Sequence, residues 1–331
     1  MSEKTLLFGL VGASLLLLLT SVFIGPTSIG LDRTLAAIVF EGLIADETII
    51  WDIRLPRSLA AYLVGVMLGL SGAALQGLLR NPLAEPGVLG VSATSSLFAT
   101  VSIYYGLTAI SGFVLPLAAI LGALVVTLFL AFVAIRISSV VVLILIGVGL
   151  SSFSGALMSL LMNLAPNPFS LSDMVNWMMG TVANRSYDDL LLGAPFMLLG
   201  TFLLMTSRST LSALTLGEEV ATSLGVNLRR ARLAIVLGTG LCTGAAVSIA
   251  GAVGFVGIIA PHLVRRFVRY DPGSTLVPSA LLAGIILVIA DMFIRVVPTS
   301  AELKLGVVAA LFGAPVFILI ASQRLTGNFD D

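Results

Sequence analysis

"LTLGEEVATSLGVNLRRAR", Leu214 to Arg232, sets two adjacent acids and three arginines inside a chain in which 10% of residues are charged and 58% are hydrophobic. It separates apolar runs at 188–206 and 230–250, each near the roughly 20 residues a helix needs to cross hydrocarbon. Gly217 is an acceptable helix N-cap, Glu218 and Glu219 suit the positive end of the helix dipole, and Gly225 is a natural left-handed stop. The stretch predicts a short helix outside the bilayer between two spans. Its apolar residues Val220, Leu224 and Val226 form a face that needs a partner.

Working outward, the same alternation of apolar runs and polar breaks covers all 331 residues, whose mean hydropathy is +1.12. Alternating ten-residue strand patterns are absent, which argues against a β-barrel. The pattern is that of an all-α polytopic membrane protein, a single transmembrane unit over 1–331 with no soluble domain. Breaking the runs at charges, Pro and Gly gives about ten spans, near 5–29, 58–79, 88–106, 110–134, 139–163, 188–206, 230–250, 252–263, 275–297 and 306–323. The eighth is too short to cross as helix and reads as a half-helix packed inside the protein. The first run, "TLLFGLVGASLLLLLTSVFIG", is long and lacks a small-x-small cleavage site, so it reads as a retained span.

With both termini on one side, that side holds Lys4, Arg80, Arg136, Arg208, Arg229, Arg230, Arg232, Arg265, Arg266, Arg269 and Arg324. The other holds only Arg33, Arg54, Arg57, Arg185, Arg295 and Lys304. The positive-inside rule then places both termini in the cytoplasm.

Missing chemistry narrows the function. Lys4 and Lys304 are the only lysines and neither follows a glycine, so the chain has no G-x-x-x-x-G-K-[ST] phosphate loop and any nucleotide is hydrolysed by another polypeptide. The one histidine, His262, has no second His or Cys near it in sequence to suggest a zinc site, and reads as structural; Cys242 lies inside an apolar run. No catalytic residue, resident metal or cofactor is expected. A stand-alone secondary transporter would need intramembrane coupling charges. Asp291 and Arg295, four apart on one helical face, read instead as a structural pair. An intramembrane enzyme would need converging polar catalytic groups, which the spans lack. A formal net charge of zero argues against nucleic acid.

"GEEVATSLG" resembles the coupling-helix motif G-E-x-x-A-x-x-L-G of the permease subunits of binding-protein-dependent ABC importers for iron chelates, haem and cobalamin. "RLPRSLAAYLVGVMLGLSGAALQGLLRNPLAEPGVLGVS" (Arg54 to Ser92), "AGAVGFVGIIAPHLVRRFVRYDP" (Ala250 to Pro272) and "AELKLGVVAALFGAPVFILI" are similar to further stretches of that family, in family order.

The resemblance implies a type II ABC importer permease fold in the bacterial inner membrane, with ten spans and both termini cytoplasmic. It implies a second permease subunit, as a homodimer around a central path, and two ATP-binding cassette subunits that use ATP and Mg. A periplasmic or lipid-anchored substrate-binding protein delivers the chelate. By similarity the coupling helix spans 214–227, and Gly217, Glu218, Glu219, Ala221, Leu224 and Gly225 seat in the ATPase. Arg54, Arg57 and Arg295 receive the binding protein, and Asn81, Leu83, Ser139 and Val140 form the cytoplasmic gate. Ferric siderophore is the first expectation for the cargo, then cobalamin or haem.

Overall fold

The structure, a computed structural model, describes residues 3–137, 139–299 and 301–325, with side chains through residue 319. Every regular element among them is helical: α1 (Glu3–Ser21), α2 (Leu31–Ile38), α3 (Ile44–Thr48), α4 (Leu55–Leu79), α5 (Val91–Tyr104), α6 (Val114–Arg136), α7 (Val140–Asn163), α8 (Pro168–Met179), α9 (Tyr187–Thr206), α10 (Arg208–Leu214), α11 (Glu218–Ser223), α12 (Leu228–Ala250), α13 (Val256–Arg265), α14 (Pro272–Val296) and α15 (Leu305–Leu325). Among the described residues, seven helical stretches are long and apolar enough to cross a membrane, the first at α1 and the last at α14; α5 and α15 are apolar but shorter over those residues.

α4 and α12 form the centre. Over an apolar 18-residue stretch of each, 78% and 83% of residues are buried, against 17% for α1 and α7 at the periphery. α14 lies along α4; α12 packs on α4, α6 and α9; α5 fills the space between α6 and α7. Glycine sets the closeness of these contacts. A Cβ on Gly65 would stand 2.4 Å from the Ala283 carbonyl oxygen, and one on Gly72 would stand 1.9 Å from that of Gly257. In lipid, where apolar side chains gain little by leaving their surroundings, such backbone approach is a main source of helix association. Hydroxyls add links between helices: Ser95 donates to the Ala119 carbonyl at 2.7 Å, and Thr94 and Ser154 share a bond at 3.1 Å. Outside, α6 and α7 present Leu121, Val125, Leu128, Phe132, Leu145 and Phe153 as an apolar surface.

Caps fix the helix ends. Ser186 and Asp189 form a capping box on α9, and Asn167, Asn227 and Asp271 each accept a backbone N–H at the start of α8, α12 and α14.

The differences from the sequence reading have local causes. The run read as one span over 5–29 stops at Ser21, ahead of Gly25 and Pro26, and two short helices, α2 and α3, follow. Helix then continues from Ile44 through one turn of wider π-type winding at Ile49–Arg54 into α4, so this span begins well before residue 58. The expected half-helix at 252–263 is α13. It starts later because Gly251 and Phe255 both adopt positive φ, +69° and +65°, which breaks the chain from α12. α8 and α10 were not anticipated.

Candidate functional site

At the α11 end of the molecule, α10 is an anchor. Its Leu211 and Leu214 are buried against α4 and α14, and Arg208 ties α1 to α14 through Glu3 (2.9 Å) and Ser274 (3.3 Å). Beside it, partial burial opposes a charge on Asp271, yet hydrogen bonds from Ser212 and Ser274 and the nearby Arg208 hold its carboxyl below the usual range.

α11 is a single turn between two glycines with positive φ, Gly217 at +101° and Gly225 at +87°. The Val226 amide bonds the Ala221 carbonyl at 3.0 Å and the Gly225 amide bonds that of Thr222 at 2.9 Å, the paired closure that a left-handed glycine permits. Ala221 is fully buried and pins the turn to the core, while Leu216, Val220 and Leu224 are 61%, 46% and 65% exposed. Val226, read as part of that outer face, is half-buried and packs inward. Glu218 accepts two bonds from Arg232 at 2.9 and 3.0 Å and lies 3.8 Å from Arg80, whereas Glu219 points outward. The helix proper covers 218–223 of the expected 214–227, because α10 already ends at Leu214.

Next to α11 is a groove of about 650 Å³ lined by Leu79, Arg80, Val140, Val141, Gly217 and Glu218 among others. Val140 and α11 therefore share one surface. Ser139 caps α7 at its edge through the Val142 amide, and exposed Asn81 accepts from the Leu83 amide at 3.0 Å in the turn after α4. The four residues expected at a gate thus lie on the two turns that open α7 and close α4.

The opposite end holds the three arginines, and the structure turns them inward. Arg54, 4% exposed, donates to the carbonyls of Val22 (2.8 Å) and Thr27. Arg295, 6% exposed, donates to those of Ser21 (3.1 Å) and Ile24 (3.3 Å). These carbonyls lie at and beyond the end of α1, where a helix leaves acceptors without intrahelical partners. Arg295 also pairs with Asp291, as the four-residue spacing anticipated, and with the Ser58 hydroxyl at 2.9 Å. Arg57 reaches the other Asp291 oxygen at 2.7 Å and pairs with Glu302. A carboxylate almost fully buried in an apolar span is costly unless paired, and two guanidiniums meet that need. Of the three arginines, Arg57 alone keeps an edge at the surface, with 13% of its side chain exposed, against 2% for Arg295.

A further feature escaped the sequence reading. α7 exposes Gly149, Ser152, Ala156, Ser159 and Asn163 along one helical face, a small and polar stripe on a peripheral helix. Its signal was the 3-4-3-4 spacing, hidden by the apolar residues between.

The sequence profile of the FecCD transport family matches residues 13–323. A Bacillus subtilis (strain 168) protein, the uncharacterized ABC transporter permease protein YvrB, is 41% identical over 285 residues, covering 85% of this chain and 80% of that protein. The vitamin B12 import system permease protein BtuC of Salmonella paratyphi A is 40% identical over 280 residues, 84% of this chain and 85% of that one. A solved structure of an ABC transporter described as metal-chelate type, in an inward-facing conformation, superposes with a TM-score of 0.86 at 31% identity, covering 97% of this chain and 99% of that chain. On a profile match from residue 13 to residue 323, supported by relatives at about two-fifths identity over their greater length, the chain belongs to the FecCD transport family.

Proposed function

We propose that the chain is the transmembrane subunit of a binding-protein-dependent ABC importer that moves a metal chelate across the bacterial inner membrane, with ATP hydrolysed by a separate subunit. The observation that carries this is α11: a turn pinned by one buried alanine that holds Leu216, Val220 and Leu224 out to water beside an open groove. Exposed apolar area on a rigid polar platform is what a docking partner covers. In this reading two ATPase subunits seat on the α11 ends of a permease homodimer, facing the cytoplasm, and Gly217, Glu218, Glu219, Ala221, Leu224 and Gly225 form the seat. The stripe on α7 faces the second copy across the path, where hydroxyls and an amide meet water rather than lipid. Asn81, Leu83, Ser139 and Val140 surround the path's cytoplasmic mouth. The binding protein docks over the outer ends of α4 and α14, on Arg57 and on the platform that Arg54 and Arg295 hold beneath it.

Ferric siderophore is the proposed cargo; cobalamin or haem would use the same machinery. The likeness to a vitamin B12 permease favours cobalamin as the second reading. Replacing Val220 and Leu224 with Arg tests the platform. Neither side chain is buried, so the permease should accumulate and keep its oligomeric state while co-purification of the ATPase falls at least tenfold. ATPase recovery equal to wild type would refute the coupling role of α11.

A further inference from the structure

The acid Glu85 belongs to none of the groups above. It sits in the turn Asn81 to Pro86, stiffened by two prolines and by the bond from the Leu83 amide to Asn81, and its side chain reaches across to the break between α12 and α13. There one carboxylate oxygen accepts the backbone N–H of Phe255 at 3.3 Å. Phe255 is the N-cap residue of α13, and Glu85 satisfies its backbone N–H from another part of the chain, as the acid of a capping box does from within a helix. The charge also faces the positive end of the helix dipole. A cavity of about 130 Å³, lined by Glu85, Pro86, Ser92, Gly254 and Phe255, lies against the carboxylate and leaves the break room to rearrange.

The break itself is strained. Phe255 holds φ at +65°, a conformation that L-residues with a side chain rarely adopt, and the Val256 amide bonds back to Gly254 at 2.8 Å in a very tight turn. Such backbone persists only where its surroundings hold it. The turn that holds it begins at Arg80, itself left-handed at φ +47°, whose guanidinium lies 3.8 Å from Glu218 of α11. One short, stiff segment therefore has α11 at its start and the strained hinge at its end. Gln76 braces it from behind, bonding the carbonyls of Ala84 and Gly257 at 3.3 Å each.

We propose that Glu85 is a positioning residue for transport: its bond to Phe255 delivers the displacement of α11 to the α12–α13 hinge and so couples hydrolysis to opening of the path. This rests on the transport reading above. The test is made on the whole importer, permease with its ATPase and binding protein, reconstituted in vesicles. It compares wild type with Glu85→Ala, Glu85→Gln, which keeps an acceptor, and Glu85→Asp, one methylene short of the Phe255 amide. The quantity read is radiolabelled ferric siderophore moved per ATP hydrolysed. The Ala and Asp variants should lose at least tenfold in that ratio while hydrolysis stays within about twofold of wild type, and Gln should recover the ratio to within about threefold. If the Ala chain fails to accumulate, Asp serves as the breaking variant. Hydrogen exchange at residues 254–257 should rise in the breaking variants and return in Gln. An unchanged ratio in the breaking variants would overturn the proposal, and so would a Gln variant as uncoupled as Ala. Wild type that moves nothing with its ATPase present would instead overturn the transport reading.

Discussion

At the scale of single residues, the chain keeps charge in its interior only where it is matched. Asp291 is held by Arg57 and Arg295, and each arginine has further acceptors, so the cluster is a structural joint between α1, α4 and α14. Removing the acid leaves the buried Arg295 without a carboxylate and Arg57 with only Glu302 at the rim. Asp291→Ala should therefore cost about 3–5 kcal/mol, the range for breaking one partner of a buried pair. Thermal unfolding in detergent checks this, and a variant within ~0.5 kcal/mol of wild type would show that the arginines find water instead. Glu302 is 39% exposed and meets only the rim of the cluster. Glu302→Gln should cost at most about 1 kcal/mol, as for an exposed pair.

At the scale of helices, the approach of α4 to its neighbours depends on backbone meeting backbone. A side chain at Gly72 would run into the Gly257 carbonyl, which cannot swing aside, whereas Gly9 on α1 has open space around it. Gly72→Leu should exceed the ~1–3 kcal/mol of ordinary overpacking. Gly9→Leu should stay within about 0.5 kcal/mol of wild type. Equal melting of the two variants would contradict the packing described.

The same contrast shows what the sequence could and could not carry. The acid pair after Gly217 was legible because spacing and composition alone report it. Helices α8 and α10 were missed because short helices between spans have neither the length nor the period of a span. The inward turn of Arg54, Arg57 and Arg295 was hidden because it depends on Asp291 and on carbonyls beyond α1, up to 274 residues away in the chain. The pairing of Glu85 with Phe255 across 170 residues was hidden for the same reason.

For the whole molecule, the two ends differ in kind. The Asp291 end is a closed network of ion pairs, while the α11 end is open, with exposed apolar side chains, a groove and a stiff turn leading inward. That asymmetry suits a device driven from one side and loaded from the other. In the transport reading proposed above, Asp291, held by both arginines, serves as a structural joint rather than an ion carrier. The most direct measurement is uptake of a radiolabelled ferric siderophore into vesicles that contain this chain, its ATPase and its binding protein, with and without ATP and in the absence of an ion gradient. Accumulation should require ATP and the ATPase and should be lost in the Val220→Arg and Leu224→Arg variants. Uptake by the chain alone, driven by an ion gradient and indifferent to ATP, would contradict the transport reading.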